Sequence, residues 1–323
     1  MPFAHGLILT LTLALPPPGP APVAVPTSRF AHVNGIRINY LDWGGHGPPL
    51  VMVHGLGDSP HIFDDLARHL CSRFHVYAYA RRGHGHSDTP EGGFDLMTLT
   101  EDLRLFLDAL HIQRADLLGW SMGGNEITRF AGLHPDRVGR LVYLEAGYDF
   151  SDTTFLGSFA GALARTGPDS SAFGSLNRFR DWMHAAVFGR NVMWTPGLEN
   201  YLRDVTRVEP DGRIEVVPSE RVFGAIFRSL PSSPRNYSNV RAPCLFFYAS
   251  TFFPAPSGKA DPTLRSFERF ADKFREAQIE RVRHEVKGAA IERVPGATHM
   301  SIGVRDPARL AARISTFLLA PRS

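Results

Sequence analysis

Cysteine is nearly absent: the chain has two in 323 residues, Cys71 and Cys244. That excludes a disulfide scaffold, and neither has a neighbouring Cys at a metal-ligand spacing, so each reads as a free thiol and no zinc site is expected. Charge of one sign is lacking too. The formal net charge is +3, an Arg excess spread along the chain rather than gathered in a run. No surface for nucleic acid or for an anionic membrane is expected from that pattern. Long hydrophobic runs are also missing. Leu7 to Leu15 is the longest apolar stretch, too short to span a bilayer. With Ala21 and Ala24 near a cleavage point it reads as the h-region of a secretory signal and implies export to a secreted or periplasmic location, although no Lys or Arg precedes it. The other reading is an N-terminal tail on a cytoplasmic protein.

What remains is a chain of ordinary globular composition, long enough for one large domain with an insertion. Phe30 to Trp43 alternates apolar and polar residues around Asn34-Gly35, the pattern of a β-hairpin. Strands are predicted at Pro49–His54, Phe74–Tyr79, Ala115–Gly119, Arg140–Leu144, Ala242–Tyr248 and Ala290–Val294. Helices are predicted at Ile62–Leu70, Leu96–Leu110, Met122–Leu133, Pro262–Arg283 and Pro307–Leu319. Leu96–Leu110 places apolar residues at 96, 99, 103, 106, 107 and 110, one face of an amphipathic helix. Strands alternating with helices at short spacing imply a mostly parallel sheet with helices on both faces, here an eight-stranded one. The alternation lapses between about 148 and 237, where short helical stretches and many aromatics replace it. The expected organisation is therefore a tail at 1–27, an α/β core from 28–147 and 238–323, and a helical cap inserted at 148–237.

The chemistry centres on Gly119-Trp120-Ser121-Met122-Gly123, a G-x-S-x-G sequence between a predicted strand and a predicted helix. Glycines two residues to either side let backbone approach without a Cβ clash. The sharp turn then lifts the serine over the sheet edge, at a helix N-terminus. A serine hydroxyl needs a base. His299 follows the last strand and precedes the last helix, so element order puts it at the same C-terminal rim as Ser121, where open α/β sheets bind ligands.

With these residues the chain resembles the α/β-hydrolase fold family, in its capped serine hydrolase branch. Four places carry the resemblance, in the family's order: His54-Gly55 after the third strand, Arg82 to Asp88 after the fourth, the Ser121 turn, and His299 after the last. The resemblance implies an oxyanion hole from the backbone N–H groups of Leu56 and Met122. It also implies acyl transfer, because members that open epoxides or displace halide attack with an aspartate where this chain has serine. His54 and the 82–88 loop are expected to shape the site rather than to act chemically.

One departure matters. The family usually sets its acid in the loop after the seventh strand of the sheet, where this chain has Phe252 or a neighbour. A second family location lies at the end of the sixth strand, and there the chain carries Glu145. The expected triad is Ser121–His299–Glu145, with Asp261 and Asp149 as alternative acids. The aromatics of the insertion suggest an apolar cavity and an uncharged ester or thioester substrate, with no cofactor. Other acyl chemistry (aminopeptidase, lactonase, C–C hydrolase, acyltransferase) keeps the same triad. A ligand-binding receptor on this scaffold is the alternative of a different class. The sequence carries no sign of oligomeric state.

Overall fold

In a computed structural model the described residues are 25–255 and 261–321. The signal-like segment lies outside the described residues. The chain opens with β1 (Thr27–Val33) and β2 (Ile36–Gly44), joined at Asn34-Gly35, whose φ angles of 51° and 78° are those of a two-residue hairpin turn. Then come β3 (Pro49–Val53), a 3₁₀ turn leading into α1 (Asp64–Leu70), β4 (His75–Tyr79), α2 (Leu96–Ala109), β5 (Ala115–Trp120), α3 (Gly123–Leu133) and β6 (Val138–Leu144). An irregular stretch follows: α4 (Thr153–Thr166), α5 (Leu176–Trp182), α6 (Pro196–Asp204), a small hairpin of β7 (Thr206–Val208) and β8 (Ile214–Val216), and α7 (Glu220–Ser229). β9 (Cys244–Thr251), α8 (Pro262–Glu285), β10 (Ala290–Thr298) and α9 (Pro307–Leu318) complete the chain.

Eight strands form one sheet in the order β1-β2-β4-β3-β5-β6-β9-β10. β2 runs antiparallel to both its neighbours, and the strands from β4 to β10 run parallel. One apolar cluster packs α2, α3 and α8 on one face, through residues such as Phe106, Ile127 and Ile279. A second packs α1 and α9 on the other, through Leu66, Leu310 and Ile314. Burial on both faces explains why β3, β5 and β6 read as continuous apolar runs rather than alternating ones.

Strand order reverses at β3. The chain leaves it for β4 on one side and returns to β5 on the other, so the crevice at the strands' carboxyl ends opens between the loops after β3 and β5. Those loops carry Leu56 and Ser121.

The two late strands are longer than the sequence pattern indicates. β9 runs to Thr251, and β10 resumes after a register break between Val294 and Thr298, where Gly296 has φ 69°. The break hides the strand's last residues from a periodicity argument. The β7–β8 hairpin goes unread because three-residue strands carry too little pattern.

The stretch between β6 and β9 is tied to α1 and the loop before it through α6 and its N-cap. Thr195 Oγ1 donates to Asp65 Oδ2 at 2.5 Å, Asn200 Nδ2 to Asp64 Oδ2 at 2.9 Å, and the Tyr201 hydroxyl to Asp58 Oδ1 at 2.7 Å. All three carboxylates are buried. Among the described residues no helix is long and apolar enough to cross a membrane.

Candidate active site

Ser121 sits between β5 and α3 with φ 52°, a left-handed conformation that side-chain-bearing residues seldom adopt. The turn is tight because glycine permits it. A Cβ on Gly123 would lie 2.1 Å from the Val53 carbonyl oxygen, and one on Gly119 2.7 Å from the Gly124 nitrogen. Both obstacles are backbone and cannot swing away. α3 is thus pressed against the end of β3, and its first turn faces the loop that follows.

That loop is fixed by buried polar contacts. Arg81 donates to the Gly55 carbonyl at 3.0 Å and the His54 carbonyl at 2.7 Å, and pairs with Glu126 of α3. One guanidinium therefore joins the β3 loop to the helix that carries Ser121. The Leu56 and Met122 N–H groups meet no backbone or side-chain acceptor among the described residues, and both residues line the same cavity as Ser121. Free N–H groups at a helix start and in an adjoining loop suit an oxyanion.

His54 and His84 support this loop as neutral rings. His54 Nδ1 donates to the Gly55 carbonyl at 2.8 Å while Nε2 accepts from the Arg81 N–H at 3.0 Å. Burial, with Arg81 alongside, pushes His54 well below its ordinary value and His84 down to about 3. Unfolded, both rings take up a proton near pH 6.5; folded, they do not. The unfolded chain binds more protons in that window, so stability falls as pH drops below about 6.5, by up to about 1.4 kcal/mol per pH unit per histidine. Melting temperature measured from pH 7 to 5 is expected to fall over this range, and less steeply in His84→Gln. Identical slopes in the two proteins would refute the role given to His84.

His299 follows β10. Its Nε2 lies 2.9 Å from Ser121 Oγ and its Nδ1 2.9 Å from Glu145 Oε2. Glu145, directly after β6, is fully buried and has φ 48°. Its other oxygen, Oε1, accepts from the Ala249 N–H at 2.5 Å and the Tyr148 hydroxyl at 2.9 Å. Burial holds the Tyr148 phenol well above its ordinary value, so it stays a donor, and its oxygen accepts from Arg275 Nε at 3.2 Å. The carboxylate is thereby oriented and its lone pairs occupied. A partnered acceptor directs Nδ1–H of His299 toward itself and leaves Nε2 to accept from the serine hydroxyl.

The alternative acids lie elsewhere. Asp261 caps α8, accepting from the Thr263 N–H at 2.6 Å. Asp149 accepts from Ser151 Oγ at 2.7 Å and Arg281 at 2.6 Å. Phe252, in the loop where the resemblance leads one to expect the acid, stacks on the His299 ring, with centroids 5.1 Å apart and planes 13° apart. The turn that presents it is held by Glu268, which accepts from the Phe253 N–H at 2.8 Å.

Sequence reasoning missed three residues here. Arg235 is buried and donates to Gly124 O at 2.6 Å, Ala146 O at 2.9 Å and Tyr148 O at 2.8 Å, joining the Ser121 helix to the Glu145 turn. Asp58 and Tyr201 meet across 143 residues of chain. Only the proximity of Asp58 to His54-Gly55 offered any signal.

Above Ser121 lies a cavity of about 800 Å³, walled mostly by apolar residues of the inserted segment such as Leu156, Phe159, Trp182, Phe223 and Phe227. Among the described residues no Lys or Arg lines it. Cys71 and Cys244 are both free.

A family model described as alpha/beta hydrolase fold matches residues 48–190. Among solved structures, E-2-(acetamidomethylene)succinate hydrolase superposes with TM-score 0.73 at 21% identity, covering 92% of this chain and 100% of that one. An enol-lactonase from Burkholderia xenovorans gives TM-score 0.61 at 20% identity, with 90% and 100% covered. The chain has the α/β-hydrolase fold. Curated relatives include an uncharacterized protein of Mycobacterium tuberculosis, 34% identical over 39% of this chain and 36% of that protein. A non-heme chloroperoxidase of Streptomyces lividans is 37% identical over 35% of this chain and 42% of its own length. The matched stretch thus spans well under half of these relatives.

Proposed function

We propose that the chain is a cofactor-independent serine hydrolase that cleaves an uncharged, largely apolar carboxylic ester through an acyl-enzyme. The observation that carries this reading is the continuous contact from Ser121 Oγ to His299 Nε2 and from His299 Nδ1 to Glu145, each 2.9 Å. His299 takes the hydroxyl proton as Ser121 Oγ attacks the carbonyl carbon. The Leu56 and Met122 N–H groups hold the oxygen that becomes negative. Glu145 stabilises the imidazolium, which then gives its proton to the departing alcohol. A water molecule, deprotonated by His299, attacks the acyl-enzyme; collapse returns the proton to Ser121 Oγ and releases the acid. Residues 148–237 act as a cap, whose aromatic wall sets the substrate class.

The absence of a lining cation among the described residues disfavours carboxylate-bearing substrates, in contrast to a relative named for a succinate. Serine as nucleophile separates this reading from epoxide opening through aspartate.

A fluorophosphonate and a series of p-nitrophenyl esters test it. A single adduct on Ser121 is expected. Each added acyl methylene contributes ~0.8 kcal/mol on burial, so kcat/KM should climb roughly fourfold per carbon until the cavity is filled. No adduct on Ser121 would refute the reading and favour a binding protein on the same scaffold.

A further inference from the structure

Asp58 is the other buried acid of the cavity, and the mechanism above does not use it. It is 4% exposed and lines the cavity beside Ser121. Gly55 shows how close the two are: a Cβ built there would lie 2.3 Å from Asp58 Oδ2 and 3.2 Å from Ser121 Cβ. Tyr201 occupies Oδ1 through its hydroxyl at 2.7 Å. Oδ2 lies beside the Gly55 backbone, which hydrogen-bonds to the carboxylate, and no side chain among the described residues donates to it.

Holding α6 to the core requires only the Oδ1 contact. A carboxyl oxygen with no side-chain donor on a mostly apolar wall has lone-pair capacity left for a donor carried by a ligand. Burial raises the pKa of Asp58 above its ordinary value, against the opposing pull of the Tyr201 hydroxyl, His299, Arg81 and the Gly55 backbone. In its charged form Oδ2 is an acceptor close to the group that Ser121 attacks.

We propose that Asp58 Oδ2 is a recognition group that accepts a hydrogen bond from a hydroxyl or amine carried by the substrate within a few bonds of the reacting carbonyl. This rests on the serine-hydrolase reading and narrows its substrate class: the preferred ester is apolar at its far end and carries one donor near the carbonyl. A site built around such a donor discriminates strongly against the analogue lacking it, because the buried acceptor is then left unpaired. The same carboxyl disfavours an anionic group at that point.

The test compares three p-nitrophenyl esters on the full-length protein: butyrate, 3-hydroxybutyrate and hydrogen succinate. The expected wild-type order in kcat/KM is hydroxybutyrate over butyrate by tenfold or more, with succinate at least tenfold below butyrate. Asp58→Leu should bring the hydroxybutyrate-to-butyrate ratio close to one. Asp58→Asn, which keeps a partner for Tyr201, should narrow the gap between butyrate and succinate. Tyr201→Phe should leave the hydroxyl preference in place, because Oδ2 is untouched. A wild-type ratio near one overturns the proposal without any variant. So does an Asp58→Leu protein that slows butyrate and hydroxybutyrate equally, the behaviour of a purely structural tether. Fluorophosphonate labelling separates the two levels: labelled Ser121 with a flat ratio removes only this inference, whereas an unlabelled Ser121 removes the hydrolase reading with it.

Discussion

Ester hydrolysis by Ser121→Ala is expected to fall by on the order of 10⁴- to 10⁶-fold, with the fluorophosphonate adduct lost altogether. The change removes one oxygen and leaves the turn intact, since alanine meets the same backbone demand as serine at φ 52°. Melting temperature should therefore move little, and the loss can be read as chemistry. What activity persists would come from the Leu56 and Met122 N–H groups and from substrate positioning in the cavity. Retention of more than a tenth of wild-type turnover would show that another group attacks the carbonyl.

Glu145→Gln is expected to lower kcat by about three orders of magnitude or more. The hydrogen bonds say why. Glu145 Oε1 receives the Ala249 N–H and the Tyr148 hydroxyl, two donors. In glutamine the amide oxygen must face those donors, so the amide NH₂ faces His299 Nδ1. The imidazole then carries its proton on Nε2 and cannot accept one from Ser121. Asp261→Asn should leave kcat within about twofold, because Asp261 is a helix cap with no contact to His299. Asp149→Asn should lower stability through the lost Arg281 contact, without a comparable loss of turnover. Steady-state kinetics on the three purified variants decides the matter, and a large loss in Asp261→Asn with a small one in Glu145→Gln would reverse the acid assignment.

Much of this site was legible in the sequence because of how parallel sheets are built. Ser121, Glu145 and His299 each follow a strand, and strands of one parallel sheet end on one rim, so element order alone brings them together. Phe252 could be read as unfit for the acid's role, but its stacking on His299 could not, since that depends on the turn held by Glu268. Asp58, Tyr201 and Arg235 were silent for a different reason. Their partners are fixed by how the insertion settles on the core, over separations of 143 residues for Tyr201 and 111 for Arg235 to Gly124. No local periodicity encodes such contacts. The β10 break at Pro295–Gly296 shows the same limit on a smaller scale: a bulge interrupts the pattern that would have announced the strand.

The three bonds from α6 to Asp58, Asp64 and Asp65 bear on any attempt to pare the protein down. Excising residues 148–237 to obtain a minimal hydrolase would do more than uncover Ser121. It would strip a donor from each of three carboxylates packed along the start of α1 and the loop before it, and so leave the stretch next to Leu56 short of partners. A trimmed scaffold would need those three aspartates redesigned as well. Exchanging the insertion for a relative's is therefore a transplant in which the donor segment must bring its own Thr195, Asn200 and Tyr201 equivalents.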